Sequence, residues 1–136
     1  MRRLIPTGEA TRPVALTEAH QPVPAPGEAL IKVEAFAPNR GETFLLEHPE
    51  PGLLPGKDIA GLVVQEAADG SGPGIGTAWS DIRRADLSAL VRLVEQGRLH
   101  PEIGRTADWT EAAATLVDLR ERRIRGKAVL LTGGAR

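Results

Sequence analysis

The pattern of apolar and polar positions changes period once along the 136 residues. Up to about Gly76, short apolar runs alternate with dense proline and glycine punctuation: QPVPAPGE, HPEPGLLPGK and GSGPGIG. Such stretches break helices and set turns, so this half reads as strands. Ala29–Phe36 is the clearest run, with Ile31, Val33 and Ala35 on one face and Lys32 and Glu34 on the other. Arg12–Leu16 and Ile59–Gln65 are two more. Gly61 inside the last points to a bulge or a close backbone approach.

The second half has a helical period. Leu87, Leu90, Val91 and Val94 stand at i, i+3, i+4 and i+7, the spacing of one helical face. Asp86 suits its start and Gly97 its end. A second helix follows Asp108-Trp109-Thr110-Glu111, which has capping-box spacing. Trp109 is expected to pack at its start. Ala112, Ala113 and Leu116, with Val117 or Leu119, supply an apolar face. Arg120, Arg122 and Arg123 crowd the last turn, where cations complement the helix dipole, and Gly126 is expected to stop it. Ala128–Thr132 then reads as a buried closing strand. Strands, two helices and one strand in that order predict an α+β domain.

Composition narrows the function classes. With 41% hydrophobic and 26% charged residues the chain reads as one globular domain. A formal net charge of −1 gives no electrostatic reason to expect nucleic acid or an anionic membrane. Aromatics at 3% leave no stacking platform for single strands. The absence of cysteine excludes disulfides, thiolate metal sites and thiol catalysis. No run approaches the roughly 20 apolar residues of a membrane span, and the expected location is cytoplasmic.

Three segments resemble the zinc-free, quinone-oxidoreductase branch of the medium-chain dehydrogenase/reductase superfamily. They are PAPGEALIKVEAFAPNRGETFL, PGKDIAGLVVQEAADGSG and the stretch from DLSALVRLVEQGRL to RGKAVLL. The resemblance implies a GroES-like, partly open β-barrel finished by two helices and a closing strand. It divides the single domain into barrel strands at 1–77, a linker at 78–85 and the closing segment at 86–132. In the family a Rossmann domain stands where this chain has only the linker. Residues 78–85 are too few for even one βαβ unit of about 30 residues. The run Gly70–Gly76 does not replace it, because neither glycine register fits G-x-G-x-x-G and Pro73 interrupts it.

The resemblance also locates a cleft. Asn39 and Lys57-Asp58 stand where zinc-holding relatives place their Cys and His-Glu ligands, and an amide and an ammonium make a poor zinc site. The expectation is therefore no metal and no cofactor, and no autonomous NAD(P)H oxidoreductase. Glu42, Asp58 and His48 are the candidate proton-handling groups. Asn39, Lys57 and Trp79 are the candidate substrate-binding groups. The expected function is a cofactor-independent cyclisation, dehydration or isomerisation of a small molecule by acid/base catalysis. The alternative is a non-catalytic binding or dimerisation module, or an inactive truncated reductase domain. The expected partners are a small-molecule substrate and a second copy of the chain, with no nucleic acid and no membrane.

Overall fold

The computed structural model describes residues 1–53, 56–68 and 84–133. β1 (Arg2–Glu9) and β2 (Arg12–Glu18) form an antiparallel hairpin, which is a two-stranded sheet of its own. β3 (Leu30–Phe36) leads into a short helix, α1 (Arg40–Leu45), and then β4 (Ile59–Gln65). α2 (Arg84–Glu95), β5 (Ile103–Asp108), a 3-10 turn at Trp109–Glu111, α3 (Ala112–Arg120) and β6 (Lys127–Leu131) complete the order. The second sheet runs β4-β3-β6-β5. β3 is antiparallel to both neighbours, while β5 and β6 are parallel. The class is α+β, and among the described residues the strands do not close into a barrel. No helix among these residues is long and apolar enough to cross a membrane.

The core lies where α3 packs on the hairpin and on α1. Leu116 and Ala112 from α3 meet Val14 from β2, Leu46 at the end of α1 and Leu130 from β6. Leu130 is fully buried, as is Ala128 two positions earlier on the same face. Trp109 packs against the rim of this cluster, with the Arg2 guanidinium over its ring 5.1 Å from the centroid. Salt bridges bind α3 to the chain just after α1 and to β5: Arg120 pairs with Glu47, and Arg105 with Asp118. The Arg40 Nε–H also donates to the Arg120 carbonyl at 3.2 Å.

Sequence and structure differ at four elements. β1 lacks strand alternation and contains Pro6, which an edge strand tolerates; pairing with β2 makes it a strand. β5 reads as a polar loop containing Gly104, and parallel pairing with β6 orders it. The closing segment thus keeps both expected helices, α2 and α3, and the closing strand β6, with β5 inserted between the helices so that β5–α3–β6 forms a parallel crossover. Residues 40–45, for which no apolar period predicts a helix, form the short helix α1. α3 ends at Arg120, six residues before Gly126. Arg122 takes the positive φ of 58°, and the Arg123 N–H closes the turn on the Asp118 carbonyl at 2.8 Å.

Gly126 has a different task. Its φ is +79°, and a Cβ there would run into the Glu102 carbonyl, which accepts from the Lys127 N–H at 2.7 Å. Gly61 likewise lies against the Lys32 carbonyl, beside register irregularities in the β3–β4 pairing. The close approach expected at this position is present. Gly126→Ala combines strained φ with a backbone clash and is expected to cost about 1–3 kcal/mol. Urea unfolding followed by circular dichroism checks this; a loss no larger than that of an exposed Gly41→Ala control contradicts the account.

Candidate functional site

The exit of β3 is where the chain concentrates its polar side chains. Pro38 is buried and forces extended backbone on the residue before it. Asn39 follows with φ −101° and ψ 147°, the extended geometry of a helix N-cap. Glu42, three residues on, folds back so that its Oε2 accepts the Asn39 backbone N–H at 2.7 Å. This is the reciprocal half of a capping box. The same oxygen accepts the Asn39 Nδ2–H at 3.3 Å. Glu42 thus holds the Asn39 amide from the helix side, and the rest of that amide reaches partners on other segments.

Two neighbouring strands bring its partners. The Ala37 N–H donates to the Asp58 carbonyl at 3.3 Å, which fixes Asp58 just before β4. Asn39 Nδ2 then donates to Asp58 Oδ2 at 3.0 Å. On the other side, β6 pairs Leu130 with Phe36 and Leu131 with Ala35. Continuing that antiparallel register sets Lys127 opposite Asn39. The Lys127 ammonium donates to Asn39 Oδ1 and, at 3.0 Å, to Asp58 Oδ2. Asn39, Asp58 and Lys127 therefore form a closed triangle of hydrogen bonds, drawn from three segments and backed by Glu42.

The members differ in exposure. The Asp58 and Lys127 side chains are 48% and 44% exposed, whereas Glu42 is only 4% exposed. Glu42 Oε1 is buried without a hydrogen-bond partner among the described residues. The Asp58 carboxyl sits below its ordinary value. Desolvation, the largest single influence, pushes it up. Hydrogen bonds from Lys127 and Asn39, with the charges of Lys127 and Lys57, together outweigh that. The raised pKa expected of a carboxylate in an apolar cleft does not hold for Asp58, because its surroundings are cationic and half open. It is an anion at neutral pH, able to accept a proton but made a weaker base by the same contacts.

The structure thus unites Asn39, Glu42 and Asp58. Lys57 is exposed and acts on Asp58 only through its charge. His48 is exposed beyond the end of α1, and no described hydrogen bond joins it to the cluster. It precedes a turn, Pro49–Leu53, that lines a shallow cleft of about 340 Å³ with Arg3, Ile5 and Pro6; the predicted site residues take no part in that lining. Trp79, the Gly70–Gly76 run and most of the 78–85 linker lie outside the described residues; Arg84 and Ala85 already belong to α2. Lys127 is the member that the sequence pattern did not reveal. Its Gly-Lys pair stands in plain sight before the closing strand, but only the β3–β6 register shows its partner.

Because the folded Asp58 value is depressed, its contribution to stability is present above the ordinary carboxylate value. That contribution is lost as pH falls through the lowered one. Lys127→Met removes the largest lowering influence and leaves the desolvation. The Asp58 carboxyl, followed by NMR titration, is expected to rise. The stability difference between wild type and variant is expected to shrink in acid. A difference that stays constant from neutral pH to strong acid contradicts the ion pair's role.

A family model described as zinc-binding dehydrogenase matches residues 17–130. Comparison with curated proteins and with solved structures returns no match.

Proposed function

Since the chain belongs to the zinc-binding dehydrogenase family, we propose that it is a zinc-free member in which the GroES-like substrate side of the fold works without a nucleotide domain. Only residues 66–83 separate β4 from α2, fewer than the roughly 30 of a βαβ unit. The cluster does not fit zinc. Asn39 Oδ1 and Asp58 Oδ2 both already accept from the Lys127 ammonium, which leaves Asp58 Oδ1 as the open oxygen of the triangle, a single ligand. A divalent ion would meet that positive charge, and no cysteine exists to offset it. Nor do the closely packed glycines fit a dinucleotide, since Gly61, Gly104 and Gly126 each lie against a protein carbonyl.

The chemistry these side chains can perform themselves is proton transfer on a small carbonyl compound. One observation carries it: an ionised carboxylate and an ammonium are held 3.0 Å apart on a fixed amide, both half exposed. Two of the three Lys127 N–H groups are engaged, and the third can hold a substrate carbonyl oxygen. Asp58 Oδ1 makes no described hydrogen bond and can take a proton from the carbon beside that carbonyl. The electron pair of the broken C–H bond moves onto the oxygen held by Lys127. Returning the proton to the γ-carbon of a β,γ-unsaturated substrate completes an isomerisation; giving it instead to a departing β-hydroxyl, which leaves as water, completes a dehydration. Neither needs an oxidant. Asn39 orients both charges, and Glu42 positions Asn39. A non-catalytic binding module is the second reading, favoured by the openness of the cluster.

Deuterium uptake from D2O at the α-carbon of a panel of enolisable ketones, read by NMR, tests the proposal. Exchange above background is expected, with at least about a hundredfold loss in Asp58→Asn. Lys127→Met should lose a similar factor, and added NADPH should have no effect. Exchange that survives Asp58→Asn, or NADPH-dependent ketone reduction, overturns the catalytic reading. Specific ligand binding without exchange supports the module.

A further inference from the structure

The surroundings of Asp58 limit which carbon acids it can serve. Desolvation raises its carboxyl, yet hydrogen bonds from Lys127 and Asn39 and the charges of Lys127 and Lys57 hold it below the ordinary value. Proton transfer follows the match between base and acid, so a weakened carboxylate needs a substrate whose carbanion is well stabilised. Beside a single carbonyl the released electron pair has one oxygen to occupy. Between two carbonyls it spreads over both oxygens, and the C–H bond is correspondingly more acidic.

The cluster supplies donors for two such oxygens. Lys127 reaches Asp58 from β6 and gives N–H groups to Asn39 Oδ1 and Asp58 Oδ2, which leaves a third. Lys57 stands at a bend just ahead of β4, exposed, with its charge felt at Asp58. Among the described residues it has no hydrogen-bond or salt-bridge partner, so its ammonium is open to a ligand. Asn39 cannot take this part, because its Nδ2 already donates to Glu42 Oε2 at 3.3 Å and to Asp58 Oδ2 at 3.0 Å. Lys57 and Lys127 are therefore two cations from different segments beside one carboxylate that has an open oxygen.

We propose that the substrate is a 1,3-dicarbonyl compound, one carbonyl oxygen held by Lys127 and the other by Lys57, with the carbon between them presented to Asp58. The C–H bond of that carbon breaks, its proton passes to Asp58 Oδ1, and the electron pair is shared by the two held oxygens. The negative charge leaves the carboxylate and stays between the same two ammonium groups, which are already in place before the transfer. Reprotonation returns Asp58 to its starting state, and neither oxidant nor reductant takes part. This substrate class rests on the proton-transfer reading and narrows it. It also gives Lys57 a task that its charge on Asp58 alone does not: a merely weakened base would gain nothing from a second lysine.

Two probes in D2O test this on the full chain: a 2-methyl β-keto ester, with one acidic C–H between its carbonyls, and the matched simple ketone. Exchange of each is followed by NMR, with acetate as a reference carboxylate that has no lysines beside it. The preference for the keto ester over the ketone should exceed that of acetate by roughly tenfold or more. Lys57→Met, at an exposed position outside the core, should bring the preference down to that of acetate. Lys32→Met, at an exposed lysine of β3, should keep it and so control for loss of a surface charge. A preference no greater than that of acetate, or one that survives Lys57→Met, overturns the substrate class and leaves proton transfer standing. No protein-dependent exchange of either probe overturns both.

Discussion

The pairing of β3 with β6 joins segments from the two ends of the chain, Ala35 with Leu131 and Phe36 with Leu130. Two things hang from it. On one face it delivers Leu130 into the seam formed by Leu116, Ala112, Leu46 and Val14, where the hairpin, α1 and α3 converge. Along the strand it carries Lys127 to the level of Asn39 and so creates the polar cluster. Without this register Leu130 has no cavity to fill, and the Asp58 carboxylate has no ammonium beside it. Core and site therefore form together, and a slip of one residue would lose both.

The cluster shows how a half-open setting decides the state of a carboxyl group. Partial burial alone would favour the neutral acid. A hydrogen-bonded ammonium and an amide N–H reverse that, and Asp58 stays ionised. Glu42, nearly enclosed, spends one oxygen on the Asn39 backbone and side chain and keeps the other unbonded. Two carboxylates in one site have thus been given different work. The buried one stiffens the amide, and the open one faces solvent with a free oxygen.

Stability is distributed unevenly. Among the described residues most buried side chains lie in β2, α3 and β6 or in and just after α1, while β4 and α2 contribute none. The site sits on the boundary between these regions, with Lys127 on the well-packed side and Asp58 at the start of the exposed strand.

Much of this was legible in the residues. Alternation predicted β3, with Lys32 and Glu34 exposed between half-buried Ile31, Val33 and Ala35. Helical spacing predicted α2 and its end at Gly97, whose φ is +66°. Asp108 caps the following turn, but by accepting from the Thr110 N–H at 2.9 Å and not through the capping box with Glu111 that its spacing suggested, since Glu111 pairs with Arg105. Asn39, Glu42 and Asp58 were found from motif positions, and they meet. These features are local or periodic, and a sequence records them directly. The strands β1 and β5 are not, because their order comes from partners that supply the hydrogen bonds. The same holds for Lys127, whose role depends on a register set far away along the chain, and for the apolar face of α2, which spacing predicts but cannot bury. The sequence by itself determined which segments are helical or extended and which residues carry charge. Tertiary structure alone decided which of those charges touch and which apolar faces are covered, because contact is a property of pairs distant in the chain.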